Sequence, residues 1–201
     1  MKKSENKFIG IKEIVVVTLF SVLTFVVSML TAMPFAASVY LQLYVGYPLM
    51  AMISGPVYVL MIGKAPKIGT QVLFFGIKGL YMLLMGQVLT GVIFIIGGVL
   101  CELIVLGDGY RNELKAGAAY ALHMTLYGLG SFFPVLFFAD NYAGQLIDKG
   151  YKKELVDTML SLYRSPVTVI TVAMVLIVSS VIGMFIGSRM MKKHFRPAGV
   201  A

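Results

Sequence analysis

Long apolar runs alternate with short polar segments along this chain, and each run has the length of a membrane-spanning helix. A helix needs about 20 mostly apolar residues to cross the hydrocarbon core of a bilayer. Six runs meet this requirement, at about 14–33, 44–63, 69–86, 88–106, 116–138 and 166–188. None alternates apolar with polar residues as a barrel strand does. The pattern predicts an all-α integral membrane protein with six transmembrane helices in a single membrane domain, residues 1–201.

The composition agrees with a bilayer as the solvent. Hydrophobic residues make up 59% of the chain and charged residues only 13%, whereas soluble domains carry about 25% charged residues. This excludes an ordinary soluble enzyme and a disordered protein. The first apolar run is longer than the roughly 7–15 residues of a signal peptide core, so we expect it to be the first span.

The distribution of Lys and Arg predicts the orientation. The formal net charge is +8, and basic residues gather on the cytoplasmic side of membrane proteins. With both termini inside (N-in/C-in), the outer segments hold four basic residues, Lys149, Lys152, Lys153 and Arg164. The inner segments hold Lys2, Lys3, Lys7, Lys12, Lys64, Lys67, Arg111, Lys115, Arg189, Lys192, Lys193 and Arg196. Orientation therefore accounts for the positive charge, and no nucleic-acid partner is expected.

Two of the predicted outer connections are more than simple turns. Residues 34–43 are apolar and aromatic but begin with Pro34, which ends the first helix. In residues 139–165, apolar side chains recur every four positions, the spacing of one helix face, at Ile147, Tyr151, Leu155 and Met159. We expect a short amphipathic helix on the outer surface. Elaborate outer loops and plain inner turns favour a protein that receives something from outside.

Three ionisable residues fall within the predicted spans: Lys78, Glu102 and His123. An ionisable group in hydrocarbon costs about 3 kcal/mol on insertion scales. Lys78 is nearest to mid-depth, and two interpretations stay open: a structural residue buried among helices, bonded to carbonyls or paired with Glu102, or a role in ligand binding or ion coupling. Glu102 also fits an interfacial carboxylate near Arg111 or Lys115. His123 fits a satisfied core residue better than a ligand.

Catalytic signatures are missing. The sequence has no HExxH motif, no GxxxxGK[ST] phosphate loop, two histidines and a single cysteine, Cys101. We therefore expect no enzyme activity, no metal and no cofactor in this chain. If the protein takes part in uphill transport, an ion gradient or ATPase partner subunits must drive it.

Small side chains form a stripe on the first predicted helix. Ser21, Thr24, Ser28 and Ala32 follow one another at spacings of three or four residues. Such stripes allow another helix to approach closely, either within this chain or in a separate membrane subunit. The glycines of the fourth and sixth spans fit internal packing better: Gly91, Gly97, Gly98, Gly183 and Gly187.

Aromatic residues concentrate toward the predicted outer side, which suggests a pocket there. Ligand sites are mostly apolar and aromatic, with a few placed polar groups. Gln42, Gln87, Asn141 and Arg164 could supply the polar groups. The aromatic candidates are Tyr40, Tyr44, Tyr127, Phe132 and Tyr142.

Three segments carry a family resemblance. GPVYVLMIGKAPKIGT (55–70), GGVLCELIVLGDGYRNE (97–113) and MMKKHFRPAGVA (190–201) resemble the Trep_Strep group of bacterial membrane proteins, over nearly the whole chain. That group is classed among the substrate-binding S components of energy-coupling factor (ECF) transporters. The resemblance implies a six-helix bundle in the bacterial plasma membrane that captures a vitamin, metal or other micronutrient and docks on a coupling subunit with two ATPases.

The resemblance also implies where the functional residues lie. The ligand site of S components is built from the loop after the first helix and the outer ends of the last three, which here hold Tyr40, Gln42, Tyr44, Tyr127, Phe132, Asn141, Tyr142 and Arg164. Many S components contact the coupling subunit through an Ala-x-x-x-Ala stripe on the first helix, where this chain has Ser21, Thr24 and Ser28. Some members look like haem transporters, so haem or another tetrapyrrole is the candidate ligand. The alternative function is a stand-alone secondary transporter or channel that uses Lys78 and Glu102.

Overall fold

Helices joined by short connections make up the part of the chain that the computed structural model describes, residues 7–130 and 132–195, with side chains up to Lys193. Lys2, Lys3 and Arg196, which entered the orientation argument, lie outside it. The elements in order are α1 (Ile11–Ala32), a 3₁₀ turn (Met33–Phe35), α2 (Val39–Leu41), a π-helical turn (Gln42–Gly46), α3 (Tyr47–Lys64), α4 (Thr70–Leu84), α5 (Val88–Val105), α6 (Glu113–Gly128), α7 (Phe132–Asp148), α8 (Lys153–Arg164), α9 (Pro166–Met190) and a second π-helical turn (Met191–Phe195). The all-α prediction is confirmed.

Five helical stretches are long and apolar enough to cross a membrane. They are Ile11–Phe35, Val39–Lys64, Val88–Val105, Glu113–Asp148 and Pro166–Lys193. The predicted third span is a shorter apolar helix, α4, of 15 residues. At 1.5 Å per residue α4 measures about 22 Å, less than the roughly 30 Å of a hydrocarbon core. The structure therefore supports five of the six predicted spans by length.

The second span begins earlier than its hydropathy indicates. The segment after Pro34 was expected to be a loop up to residue 43, but the chain re-enters a helix at Val39 and continues through the π-helical turn into α3. Leu43 and Gly46 of that turn are buried, so packing holds the segment in helical form.

The predicted fifth span, 116–138, lies within the apolar stretch Glu113–Asp148, but two helices rather than one form this stretch. α6 ends at Gly128, and the amides of Leu129 and Gly130 close its last turn on Thr125 and Tyr127. The chain resumes as α7 at Phe132, and Phe138 has non-helical angles (φ −143°, ψ 46°) that kink it. Two glycines around Leu129 weaken the helix at this point, since glycine is a poor helix former. α7 packs on α8 and α5.

The amphipathic surface helix exists, but it begins later than the four-residue spacing suggested. α8 starts at Lys153, while Ile147 belongs to α7 and Tyr151 to the turn between them. Gly150 ends α7 with a positive φ of 87°, which glycine adopts at little cost. Leu155 and Met159 of α8 pack against the core, on the face that the sequence predicted.

Glycine contacts bring the main helix pairs together. α3 packs on α9 where Gly55 meets Gly183: a Cβ atom built on Gly55 would meet the backbone carbonyl carbon of Gly183. α4 packs on α5 in the same way, since a Cβ on Gly79 would lie 2.9 Å from the carbonyl oxygen of Gly91. Gly97, Gly98 and Gly187 also face neighbouring helices. The prediction that these glycines serve internal packing is confirmed.

The bundle has two different ends. At one, here called the basic end, ion pairs join Lys67 to Glu13 and Lys192 to Glu113 at 2.7 Å each. Backbone bonds also tie residues 7–9 to Ile68 there. The opposite end, here called the α7–α8 end, carries the turn after α1, the α4–α5 turn and both surface helices.

Candidate functional site

A crevice at the α7–α8 end brings together three of the nine predicted ligand residues. This end crevice has a volume of about 400 Å³ and lies between the start of α5 and α7. Gln87, Asn141 and Tyr142 line it together with apolar residues such as Leu89 and Phe138. Gln87 is half-buried as the residue before α5, and Asn141 is exposed. With Gln145, which also lines the crevice, three amides and a phenol over an apolar floor can bind a small molecule with polar edges.

The other six predicted ligand residues lie outside this crevice. Tyr40 and Arg164 are exposed on α2 and α8, and Gln42 is half-buried in the π-helical turn. The hydroxyl of Tyr44 lies 3.0 Å from Oγ1 of Thr171 and so links this turn to α9. Phe132 is buried and stacks on Tyr163, with ring centroids 4.2 Å apart, which fastens α7 to α8. The structure thus does not bring the nine residues into one pocket.

Tyr127, the sixth, belongs to a cluster inside the bundle that includes Lys78 and His123. Nζ of Lys78 lies 2.8 Å from Nε2 of His123, 4.5 Å from the ring centre of Phe74 and 5.2 Å from that of Tyr127. The His123 ring packs between Phe74 and Phe75, with centroids 4.8 and 3.8 Å away. The Lys78 amine therefore contacts two aromatic faces and one imidazole nitrogen, which are groups that favour a nearby cation.

The suggested Lys78–Glu102 pair is not formed. Glu102 accepts hydrogen bonds from the hydroxyl of Tyr110 at 2.7 Å and from the backbone amide of Gln71 at 3.0 Å. Gln71 is the second residue of α4, so the carboxylate sits at a helix N-terminus, where the helix dipole favours negative charge. Glu102 therefore has a structural role in this conformation.

Glu102 does not pair with Arg111 or Lys115 either. Lys115 instead bonds to Asp108 at 2.6 Å. Burial and the Glu102 carboxylate raise the pKa of Tyr110 far above its ordinary range, so Tyr110 stays protonated and remains the donor. The carboxylate is thereby satisfied without a cation.

The small-residue stripe of α1 faces inward. Ser21, Thr24 and Ser28 are buried, and each hydroxyl bonds to a carbonyl one turn earlier on α1. α1 packs on α3 and α4, so the stripe serves contacts within this chain. A partner that used these three residues would first have to displace those helices, and the interface role stays a prediction.

Ser21 also lines a smaller opening, here called the lateral crevice. It has a volume of about 180 Å³ and runs between α1 and α4 to Lys78 and Tyr127. Val22, Phe25 and Tyr81 complete its walls. The sequence analysis identified Ser21 as part of the stripe and Lys78 as an ionisable residue, but nothing in the sequence indicated that both line one crevice.

A third cavity, of about 430 Å³, lies at the basic end between α3, α6 and α9. Arg111, Glu113 and Lys192 line it beside Tyr110 and Met184. Sequence reasoning used Arg111 and Lys192 for orientation, and Arg111 also as a candidate neighbour of Glu102, but missed the cavity. The ion pair between Lys192 and Glu113 closes part of its rim.

The described residues offer no metal site: no group of three or more His, Cys, Asp or Glu side chains within 7–130 and 132–195 could hold an ion. Cys101 is buried and donates to the carbonyl of Ala119 at 3.3 Å. The chemistry available in the crevices is binding by hydrogen bonds, aromatic faces and one buried amine.

The comparisons with known proteins identify a family. Comparison with curated proteins and with solved structures gave no significant match. A family model described as a hypothetical bacterial integral membrane protein, Trep_Strep, matches residues 11–196. This match covers every helix of the fold, and the chain therefore belongs to the Trep_Strep family of bacterial integral membrane proteins.

Proposed function

We propose that this protein is the substrate-capture S component of an ECF-type importer in the bacterial plasma membrane. In this role it binds a micronutrient from outside and docks on a coupling subunit with two ATPases. The end crevice is the observation that carries the proposal. Its volume of about 400 Å³ falls within the roughly 300–1,000 Å³ of small-molecule sites, and Gln87, Asn141 and Tyr142 line it.

The charge asymmetry of the bundle supports capture from outside. The basic end holds Lys and Arg side chains from the start of α1, the α3–α4 and α5–α6 connections and the end of α9. By the positive-inside tendency this end belongs in the cytoplasm. The α7–α8 end, with the crevice and the surface helix α8, then faces outward.

The alternative function, a stand-alone transporter or channel, loses its main support. It depended on Lys78 and Glu102 as a coupling pair, and these two residues belong to separate hydrogen-bond networks. An importer driven by ATPase partners needs no such pair in this chain.

Affinity purification from the native host tests the partner part of the proposal. We expect the tagged chain in mild detergent to copurify with a larger membrane subunit and two P-loop ATPases, identified by mass spectrometry. An unrelated tagged membrane protein of the same host is the control. Recovery of the chain alone, under conditions that keep a known importer of the host assembled, would contradict the proposal.

Ligand binding tests the crevice separately. Haemin is the first probe, because a tetrapyrrole is the candidate ligand, and vitamins with polar aromatic rings follow. We expect a ligand found in this way to bind at least about tenfold more weakly to the double variant Gln87→Ala/Asn141→Ala. Lys152→Ala, exposed at the same end but outside the crevice, is the matched control. Equal affinity in all three proteins would exclude the end crevice as the site.

A further inference from the structure

Lys78 is a buried amine whose surroundings hold no acid. Its side chain is 5% exposed. Of the carboxylates in the described residues, four bond to other groups: Glu13, Glu102, Asp108 and Glu113. The other four are exposed on α7 and α8: Asp140, Asp148, Glu154 and Asp157. Within the described chain, Lys78 therefore has no counter-ion.

His123 cannot serve as one. A neutral imidazole offers one acceptor nitrogen, and Nε2 already lies against Nζ of Lys78. Its other nitrogen, Nδ1, is buried without a hydrogen-bond partner among the described residues. Once the Lys78 amine takes up a proton it has three N–H donors, more than the one acceptor nitrogen of His123 can satisfy. A negatively charged acceptor would complete the cluster.

The lateral crevice gives such an acceptor a path to Lys78 from the side of the bundle. Its mouth lies at Val22 and Tyr81, which are 54% and 37% exposed. Most of the neighbouring exposed residues of α1 are apolar, as at Leu19, Leu23 and Val26, with Thr18 as an exposed polar neighbour. An apolar surface around the middle of a spanning helix faces the acyl chains. A molecule that reaches Lys78 by this path therefore comes from within the membrane.

The depth of Lys78 along α4 limits which molecules can reach it. Lys78 lies eight residues from Thr70 and six from Leu84, the ends of α4, which is about 12 and 9 Å along the helix axis. A phospholipid headgroup stays at the membrane surface and does not descend that far. A single-chain acid does, because its carboxyl group crosses the hydrocarbon in neutral form.

We propose that the lateral crevice binds the carboxyl group of a single-chain lipophilic acid, such as a fatty acid, that arrives from the bilayer and pairs with Lys78. If the acid arrives protonated, its O–H bond breaks and the proton forms an N–H bond on the Lys78 amine, which leaves a carboxylate paired with an ammonium. No other reactant is needed. This site goes beyond the capture role and depends on neither the end crevice nor an ATPase.

Binding of tritiated palmitate to the purified chain tests the proposal, in nanodiscs of phosphatidylcholine. We expect saturable binding that unlabelled palmitate displaces and that methyl palmitate and acetate do not, since the first lacks the acid and the second lacks the chain. Lys78→Met should weaken binding at least about tenfold, while Lys115→Met, which removes an exposed cation at the basic end, should not. Unchanged binding by Lys78→Met, or equal displacement by methyl palmitate or acetate, would overturn the proposal.

A second pair of variants leaves Lys78 intact. Val22→Trp places bulk at the mouth of the crevice on a lipid-facing position, and we expect it to reduce palmitate binding strongly. Leu30→Trp places the same bulk on an exposed position of α1 that does not line the crevice, and binding should be retained. Equal palmitate binding by the two variants would place the palmitate site outside the lateral crevice and overturn the proposal. The assay uses the isolated chain, so its outcome is independent of whether ATPases copurify.

Discussion

Nζ of Lys78 and Nε2 of His123 lie 2.8 Å apart, so two basic side chains from α4 and α6 share a hydrogen bond inside the bundle. Neither pairs with a described carboxylate. Removing one member of a buried polar pair leaves the other without a partner, and this costs more when the group left behind carries a charge. The two residues should therefore respond differently to substitution.

The first prediction concerns stability at this pair. Lys78→Met removes an amine that is costly to bury but leaves Nε2 of His123 without a partner, so we expect a loss of thermal stability that is smaller than that of His123→Ala. His123→Ala removes the one side chain that hydrogen-bonds Lys78 among the described residues and leaves a cavity between Phe74 and Phe75, and should cost about 2 kcal/mol or more. Size-exclusion chromatography after heating measures both in detergent. A lower melting point for Lys78→Met than for His123→Ala would contradict the assignment.

Sequence reasoning identified Lys78 as important but gave it the wrong partner. Mid-depth position and charge made the lysine conspicuous, and Glu102 was the acid nearest to it in the predicted membrane. His123 is 45 residues away, on a helix whose outer end was placed ten residues too far along. No local pattern reports which faces of two such helices meet, because packing of the whole bundle decides it.

The helices themselves were largely predictable, because long apolar runs are a strong local signal. The break between α6 and α7 was not, since the residues on both sides are apolar and hydropathy does not register a helix end inside such a run. The same error placed Tyr127 and Phe132 in one outer helix half, although one lies beside Lys78 and the other stacks on α8. Only Gln87, Asn141 and Tyr142 of the proposed pocket come together, where tertiary contacts join α5 and α7.

The second prediction concerns the N-terminus of α4. Tyr110→Phe removes the donor to Glu102 and should destabilise the protein by about 1–3 kcal/mol, because a buried carboxylate oxygen then lacks a partner. The exposed Tyr151 offers a matched control, Tyr151→Phe, with an expected change near zero. Thermal stability of the two variants in detergent makes the comparison.

A double variant tests whether Tyr110 stabilises the protein through its hydrogen bond to Glu102. If Tyr110 acts through Glu102, Glu102→Ala/Tyr110→Phe should be no less stable than Glu102→Ala alone. Since the folded pKa of Tyr110 is raised, its contribution is present below the unfolded pKa of about 10 and is lost only as the pH rises beyond that value. Additive losses in the double variant would show that the two side chains act separately.

The third prediction concerns the contact between α3 and α9. A Cβ atom on Gly183 would lie 2.6 Å from the carbonyl oxygen of Ala51 and 2.8 Å from that of Met52, so Gly183→Ala should force the helices apart and reduce the yield of folded protein. Gly76→Ala is the matched control, because a Cβ there meets nothing within 4 Å and alanine favours the helix by about 1 kcal/mol. The measurement is the yield of folded protein that each of the two variants gives from equal amounts of membrane. Equal yields would refute the close approach of α3 and α9.

The last prediction concerns orientation, which decides whether the end crevice can receive a ligand from outside. The single native cysteine, Cys101, is buried, so a cysteine placed on the surface reports its own side of the membrane. We expect a membrane-impermeant maleimide to label Lys152→Cys in intact cells and Arg111→Cys only after lysis, since α7–α8 then lie outside and the basic end inside. The unsubstituted chain controls for Cys101, and labelling of both variants after lysis shows that both sites are reachable. The reverse pattern would invert the bundle, turn the end crevice toward the cytoplasm and remove the basis for capture from outside.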